Sequence, residues 1–245
     1  MNADRVTADE AKDVFAFDPD KGVIITSCGP KGSGKSDFGL RAFENYPYDG
    51  LLIDCNADQD PHHQFTEPLP ESDDWGWPDP AEHPAVVPQN PGSRFHHYRM
   101  VPDYLDKHWL EETDEAIGMC YRKGRCAVHL DEAADHLPVG QTPQWSRLAL
   151  RRSRHRRLSL FLPMPRPKGV DLLSVANADI LTVHGPLHKS DVTLVAATVH
   201  VSDAELQSLI NSIDTSEHNF LAWLAGLREL VLVDPLPPRL HKPSV

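Results

Sequence analysis

Residues 22–36 read GVIITSCGPKGSGKS, a short β-branched apolar run that breaks into a glycine-rich turn. The run 22–28, bounded by glycine, predicts a buried strand. The turn that follows, Gly29-Pro30-Lys31-Gly32-Ser33-Gly34-Lys35-Ser36, satisfies every fixed position of G-x-x-x-x-G-K-[ST]. Its glycines let backbone N–H groups face an anion with no Cβ in the way. Lys35 is placed to reach β- and γ-phosphates, and Ser36 to offer its hydroxyl to Mg²⁺. Phe38, Leu40, Ala42 and Phe43 predict a helix from Ser36 to about residue 46, whose N-terminus points at the same anion. A strand directly before and a helix directly after separate this pattern from a chance match. These eight residues are therefore expected to cradle ATP with Mg²⁺.

Outward from that loop, strands alternate with helices. LLID at 51–54, HYRMV at 97–101, CAVHL at 126–130, LSLFL at 158–162, DILTV at 179–183 and LRELVLV at 227–233 read as strands. An amphipathic helix is expected over 103–123, stopped by Gly124. Thr142-Pro143 opens another, running to about residue 154. Ser202-Asp203-Ala204-Glu205 is a capping box for a helix over 203–212. The alternation predicts an α/β fold with a mainly parallel sheet and helices on both faces. About 95 residues separate Lys35 from Asp131, room for the 51–54 strand and its crossover. That spacing fits P-loop NTPases of the RecA-like (ASCE) type, which carry an extra strand between the P-loop strand and the acidic strand. Residues 1–20 form a polar lead-in, 21–235 the nucleotide-binding domain and 236–245 a tail. Within the domain, 56–93 holds eight prolines, many acids, and Trp75 and Trp77, without periodicity. So long an aperiodic stretch is expected to be a surface insertion.

Composition bounds the rest. The 245 residues are 40% apolar, enough for one core, and the net charge is −12. An acidic chain does not adhere to nucleic acid over its whole surface. It does hold one local basic cluster, Arg151, Arg152, Arg154, Arg156 and Arg157. No run approaches the ~18 apolar residues needed to cross a bilayer, and no secretory leader is visible at the N-terminus. A cytoplasmic location is expected. Cys28, Cys55, Cys120 and Cys126 form neither a CxxC pair nor a zinc spacing, so reduced thiols are expected. Cys28 and Cys126 read as core residues. The adjacent histidines His62-His63 and His96-His97 lack a third spaced ligand and read as polar loop.

Asp131-Glu132 ends the apolar strand 126–130. An Asp there is placed to hold Mg²⁺ through water, and a Glu after it to orient and deprotonate the attacking water. A kinase has no need of that Glu, so the pair favours hydrolysis over phosphoryl transfer to a metabolite. His129, inside the strand, reads as a satisfied core or interface histidine.

With these residues placed, the chain resembles the FtsK–HerA superfamily of DNA-translocating ATPases. LLIDCNAD resembles that family's second strand with its terminal Asp. The stretch 152–185 resembles the family's order of Arg154, an apolar strand over 158–162, Arg166-Pro167, Val170-Asp171 and Asn177. The likeness covers most of 22–234, outside the 56–93 insertion. Within the superfamily it is closest to small viral and phage packaging ATPases. The resemblance implies a homo-oligomeric ring that grips double-stranded DNA by its backbone, with capsid or portal-vertex proteins as further partners. It implies host cytoplasm or virion as location. It also implies an arginine reaching the next subunit's ATP, an effect of roughly 10³-fold or more in such enzymes. Arg152 and Arg154, before the 158–162 strand, are the candidates, and the arginine cluster also suits DNA phosphates. A solvated helix end is the plainer account of that cluster. One departure stands out: the family's γ-phosphate-sensing Gln falls at Pro165, which has no side-chain donor. Binding is expected to survive this, while coupling of hydrolysis to motion passes to another group or is lost. Two other readings follow: an ATP-dependent switch without translocation, and a small-molecule kinase.

Overall fold

The computed structural model describes residues 20–55 and 97–236, together with 4–7, 10, 15, 18 and 67–68. Most of the 56–93 stretch, the tail and the paired histidines except His97 lie outside the described residues, and of His97 only the backbone is described.

Among the described residues ten strands form one sheet: β1 (Asp4–Val6), β2 (Ile24–Cys28), β3 (Gly50–Ile53), β4 (Glu67–Pro68), β5 (His97–Met100), β6 (Ala127–Leu130), β7 (Ser159–Met164), β8 (Ile180–Val183), β9 (Phe220–Leu224) and β10 (Glu229–Val233). Their order is β1-β10-β9-β8-β2-β7-β6-β3-β5-β4. From β8 to β4 every pairing is parallel, whereas β9 runs antiparallel to both β8 and β10. The central strands are buried along their full length, which is why they read as continuous apolar runs rather than alternating ones.

Helices cover both faces. α1 (Lys35–Glu44) places Phe38, Leu40 and Phe43 with Ile25, Leu52 and Phe161 in one apolar layer. α2 (Trp109–Lys123), α4 (Gln144–Arg156), α6 (Lys189–Val199) and α7 (Asp203–Ile210) contribute to the other, with Ile24, Leu51, Val128 and Leu160. Short turns α3 (Ala133–His136) and α5 (Leu173–Ala176) lie between them.

Several sequence expectations shift here. The strand between the P-loop strand and the acidic strand is β7, which follows the acidic strand in the chain. The 50–53 strand instead flanks β6 on its far side. The helix expected over 103–123 begins only at Trp109, because 101–108 is taken up by turns held by Asp103 and Asp106. FLAWL is a strand in its own right, and α6 went unread although its buried Val192, Val195, Ala196 and Val199 recur at helical spacing. Asp4–Val6, in the polar lead-in, pairs with β10.

Pro163 sits inside central strand β7, normally an excluded position. Ser159 donates to Cys126 O and Leu160 to Val23 O, so odd-numbered residues of β7 face β6. Pairing with β6 ends at His129↔Phe161, so the Pro163 nitrogen falls past the last paired position.

α4 has no side-chain cap of its own. Asp114 of α2 supplies one across the interface, accepting from Trp145 N (3.0 Å), Ser146 N (2.7 Å) and Ser146 Oγ (2.6 Å). Asp114→Ala leaves those buried amides without an acceptor and is expected to cost about 1–3 kcal/mol, with Asp114→Asn retaining part of it. Equal urea midpoints for the parent and the Ala variant would show that this cap contributes nothing.

Candidate functional site

β2 ends at Cys28, and 29–34 loops over the C-terminal edge of the sheet into α1. Gly32 and Gly34 take φ of 78° and 90°, the left-handed region that favours glycine. Gly29 is held by close approach: a Cβ there would lie 2.9 Å from Ser33 Oγ and 3.1 Å from His184 Cβ. Lys35 and Ser33 are buried in the loop. Ser33 Oγ has no hydrogen-bond partner, an orphaned polar atom of the kind a phosphate oxygen satisfies. The first-turn amides of α1 open into the same loop.

The acidic pair comes to this edge from β6, two strands away. Asp131 is buried, and Ser36 Oγ stands 3.5 Å from its Oδ1. A hydroxyl and a carboxylate so placed, beside a phosphate cradle, form an oxygen donor set that fits Mg²⁺. Glu132 follows in a left-handed conformation (φ 49°, ψ 58°) that a non-glycine residue adopts only where its surroundings impose it.

Sequence reasoning missed a second part of the site. A cleft of about 510 Å³ beside the loop is lined by Gly32, Gly34, Phe38, Arg41, His184 and Phe220, among others. His184 stacks on Phe220 at 4.5 Å between ring centroids. Its Nε2 meets Thr182 Oγ1 at 2.9 Å, and Thr182 Oγ1 donates to Ser27 Oγ at 2.9 Å. Burial, with smaller contributions from Lys35 and His218, holds the His184 pKa down at about 3, so the ring is neutral. The cleft was invisible in the sequence because His184 and Phe220 meet only through the antiparallel β8–β9 pairing.

His129 is buried as expected but not satisfied: neither ring nitrogen has a partner, and burial lowers its pKa to about 3. Cys28 and Cys126 are core residues, and all four cysteines are free.

The arginines lie elsewhere. α4 ends just before β7, and in a parallel sheet that is the edge opposite the phosphate loop, roughly 17–20 Å away by strand length. Arg152 is exposed at a kink in α4, and Arg154 pairs with Asp179. Arg156 donates to Tyr121 O and Arg122 O. Arg151, Arg152 and Arg154, with His155 and Asn177, line a cleft of about 330 Å³. Arg152 and Arg154 therefore do not meet their own chain's phosphate loop. Arg166, after β7, lies on the phosphate edge and pairs with buried Asp191 at 3.0 Å. Pro165, beside it, is exposed.

No protein-family model matches the chain, and no curated protein matches it by sequence. Solved structures do. The genome-packaging NTPase B204 of Sulfolobus turreted icosahedral virus 2, in complex with ATP-γS, aligns at TM-score 0.62 and 15% identity, covering 90% of this chain and 100% of that one. B204 of Sulfolobus turreted icosahedral virus, described as a DNA-packaging ATPase, aligns at 0.61 and 15% over the same shares. The pCW3 conjugation coupling protein TcpA with ATP-γS aligns at 0.50 and 14%, covering 90% of this chain and 62% of that one. These likenesses, all under 25% identity, show the fold: a P-loop NTPase sheet in which β7 lies between the strand before the glycine-rich loop and the acidic strand.

Proposed function

We propose that this chain is an ATP-hydrolysing motor that moves double-stranded DNA as a homo-oligomeric ring in viral or phage genome packaging. The observation that carries the reading is the juxtaposition of Ser36, Asp131 and Glu132 at one edge of a sheet in which β7 separates the phosphate strand from the acidic strand. The cradle of residues 29–36 grips the triphosphate, with Lys35 reaching its terminal phosphates. Ser36 and Asp131 hold Mg²⁺, which when bound neutralises phosphate charge. Glu132 orients water and takes its proton as it attacks. The aromatic cleft of Phe38, His184 and Phe220 seats the base. The ATP-γS complexes of proteins with this fold support the nucleotide part.

Support for DNA rests on the fold shared with packaging and coupling ATPases and on the arginines at the opposite edge. There they are placed to grip backbone phosphates or, from Arg152 or Arg154, to reach a neighbouring subunit's nucleotide. Capsid or portal-vertex proteins are the further partners of such a ring. Among the described residues no helix is long and apolar enough to cross a membrane. The proposed location is the host cytoplasm or the virion. The exposed Pro165, with no donor to sense γ-phosphate, favours a second reading: an ATP-dependent switch without translocation.

Purified protein with ATP and Mg²⁺, with and without linear double-stranded DNA, tests the proposal. Hydrolysis is expected, accelerated by DNA at low salt and less so as salt rises, because backbone contacts release counterions. Lys35→Ala removes a charge-assisted contact and is expected to weaken ATP binding by roughly 10- to 100-fold in calorimetry. Hydrolysis that DNA never accelerates would leave the switch reading in place of the motor.

A further inference from the structure

The acidic pair is held from behind by a group that the nucleotide site does not use. Cys55 follows β3, whose register with β6 (Ile53↔Leu130) brings it alongside Asp131. Its thiol lies 2.7 Å from the Asp131 carbonyl oxygen and 2.8 Å from His136 Nε2. Asp131 O belongs to the peptide that leads into Glu132, and His136 closes the turn α3 that follows it. One sulfur thus spans both ends of the 131–136 turn, and the left-handed Glu132 sits between them.

The protons can be placed. His136 is fully buried and its Nδ1 has no partner. If Nδ1 carried the proton, an unpaired donor would be buried, the costlier arrangement. With the proton on Nε2, His136 donates to sulfur and the thiol donates to Asp131 O, so every hydrogen is used. Trp109 covers His136 edge-on at 5.5 Å and is tilted against Tyr104 at 4.6 Å, and the Tyr104 hydroxyl is a third hydrogen-bond partner of the Cys55 sulfur.

We propose that the Cys55–His136 pair is a positioning device for hydrolysis: it fixes the Asp131–Glu132 peptide and thereby aims the Glu132 carboxylate at the water. The cysteine touches neither nucleotide nor water. This rests on the ATPase reading above.

Cys55→Ala and Cys55→Ser are compared with the parent chain in two measurements. In steady-state ATPase assays, Cys55→Ala is expected to lower kcat roughly 3- to 10-fold with KM for ATP unchanged, the effect of losing the one hydrogen bond that reaches the Asp131–Glu132 peptide. Cys55→Ser, which can still donate to Asp131 O, is expected to recover most of it. In nucleotide-free protein, amide hydrogen exchange over 131–137 is expected to accelerate in the Ala variant and not in the Ser variant. Unchanged exchange in a folded Ala variant overturns the clamp whether or not the chain hydrolyses ATP. Faster exchange with unchanged kcat overturns its role in positioning. A parallel fall in both variants, with KM shifted, shows a merely structural cysteine. Absence of hydrolysis by the parent chain refutes the ATPase reading, and with it the positioning role, while exchange still decides the clamp.

Discussion

Glu132→Gln is expected to slow ATP hydrolysis by about 10²- to 10⁴-fold while leaving nucleotide binding within about twofold. Gln keeps the size of Glu and can still donate or accept a hydrogen bond, but it cannot take a proton from water at neutral pH. Glu132 is also the last residue before the α3 turn, in a left-handed conformation that Gln tolerates no worse than Glu. The substitution therefore isolates chemistry from fold. The measurement pairs single-turnover hydrolysis with calorimetric ATP binding. In a motor, the variant should bind ATP, fail to turn over and accumulate in its nucleotide-bound oligomer. Parent-like hydrolysis in this variant removes Glu132 as the base and leaves Asp131 beside Ser36 without a catalytic partner.

The second large effect concerns pH. His129, His136 and His184 are buried neutral, with pKa values lowered by burial from 6.5 to about 3, 4 and 3. Above pH 6.5 these rings are neutral in both folded and unfolded chain, and their contribution to stability is fully present. As pH falls from 6.5 toward 4 and 3, the unfolded chain takes up protons that the folded chain refuses, so stability is lost. At pH 5 each ring costs about 2 kcal/mol, or about 6 kcal/mol together, comparable to the whole stability of many domains. Urea titrations of nucleotide-free protein at pH 7.5 and 5.0 should show a large drop in midpoint. His129→Leu should remove about a third of that drop. It should also cost little at pH 7.5, because both ring nitrogens of His129 lack partners and Leu fills similar space. Coincident midpoints at the two pH values would mean that the buried rings are charged or hydrated after all.

The arginines show how far local chemistry reaches into this protein. Their clustering is plain in the sequence, and so is their place before an apolar strand. Whether they face the chain's own nucleotide depends on strand direction. Because β7 runs parallel to β2, the segment before β7 and the loop after β2 lie at opposite edges. Arg152 and Arg154 thus stand a strand length from the phosphate loop of their own chain, and Arg166 beside it.

The sequence by itself determined the glycine-rich turn between a strand and a helix, the carboxylates at the end of an apolar strand, and the α/β class. Each rests on neighbouring residues: glycines that free the backbone before a helix, or an apolar run that ends in carboxylates. Helix starts marked by caps, such as Ser202, were legible for the same reason. Only the tertiary structure decided that β7 lies between β2 and β6, that FLAWL joins the sheet antiparallel, and that His184 and Phe220 form a cleft wall. It alone brought Cys55 to Asp131 O and His136, residues 76 and 81 positions away. Such contacts come from sheet register, which depends on how distant strands bury their faces together, and no local pattern of residue types encodes that.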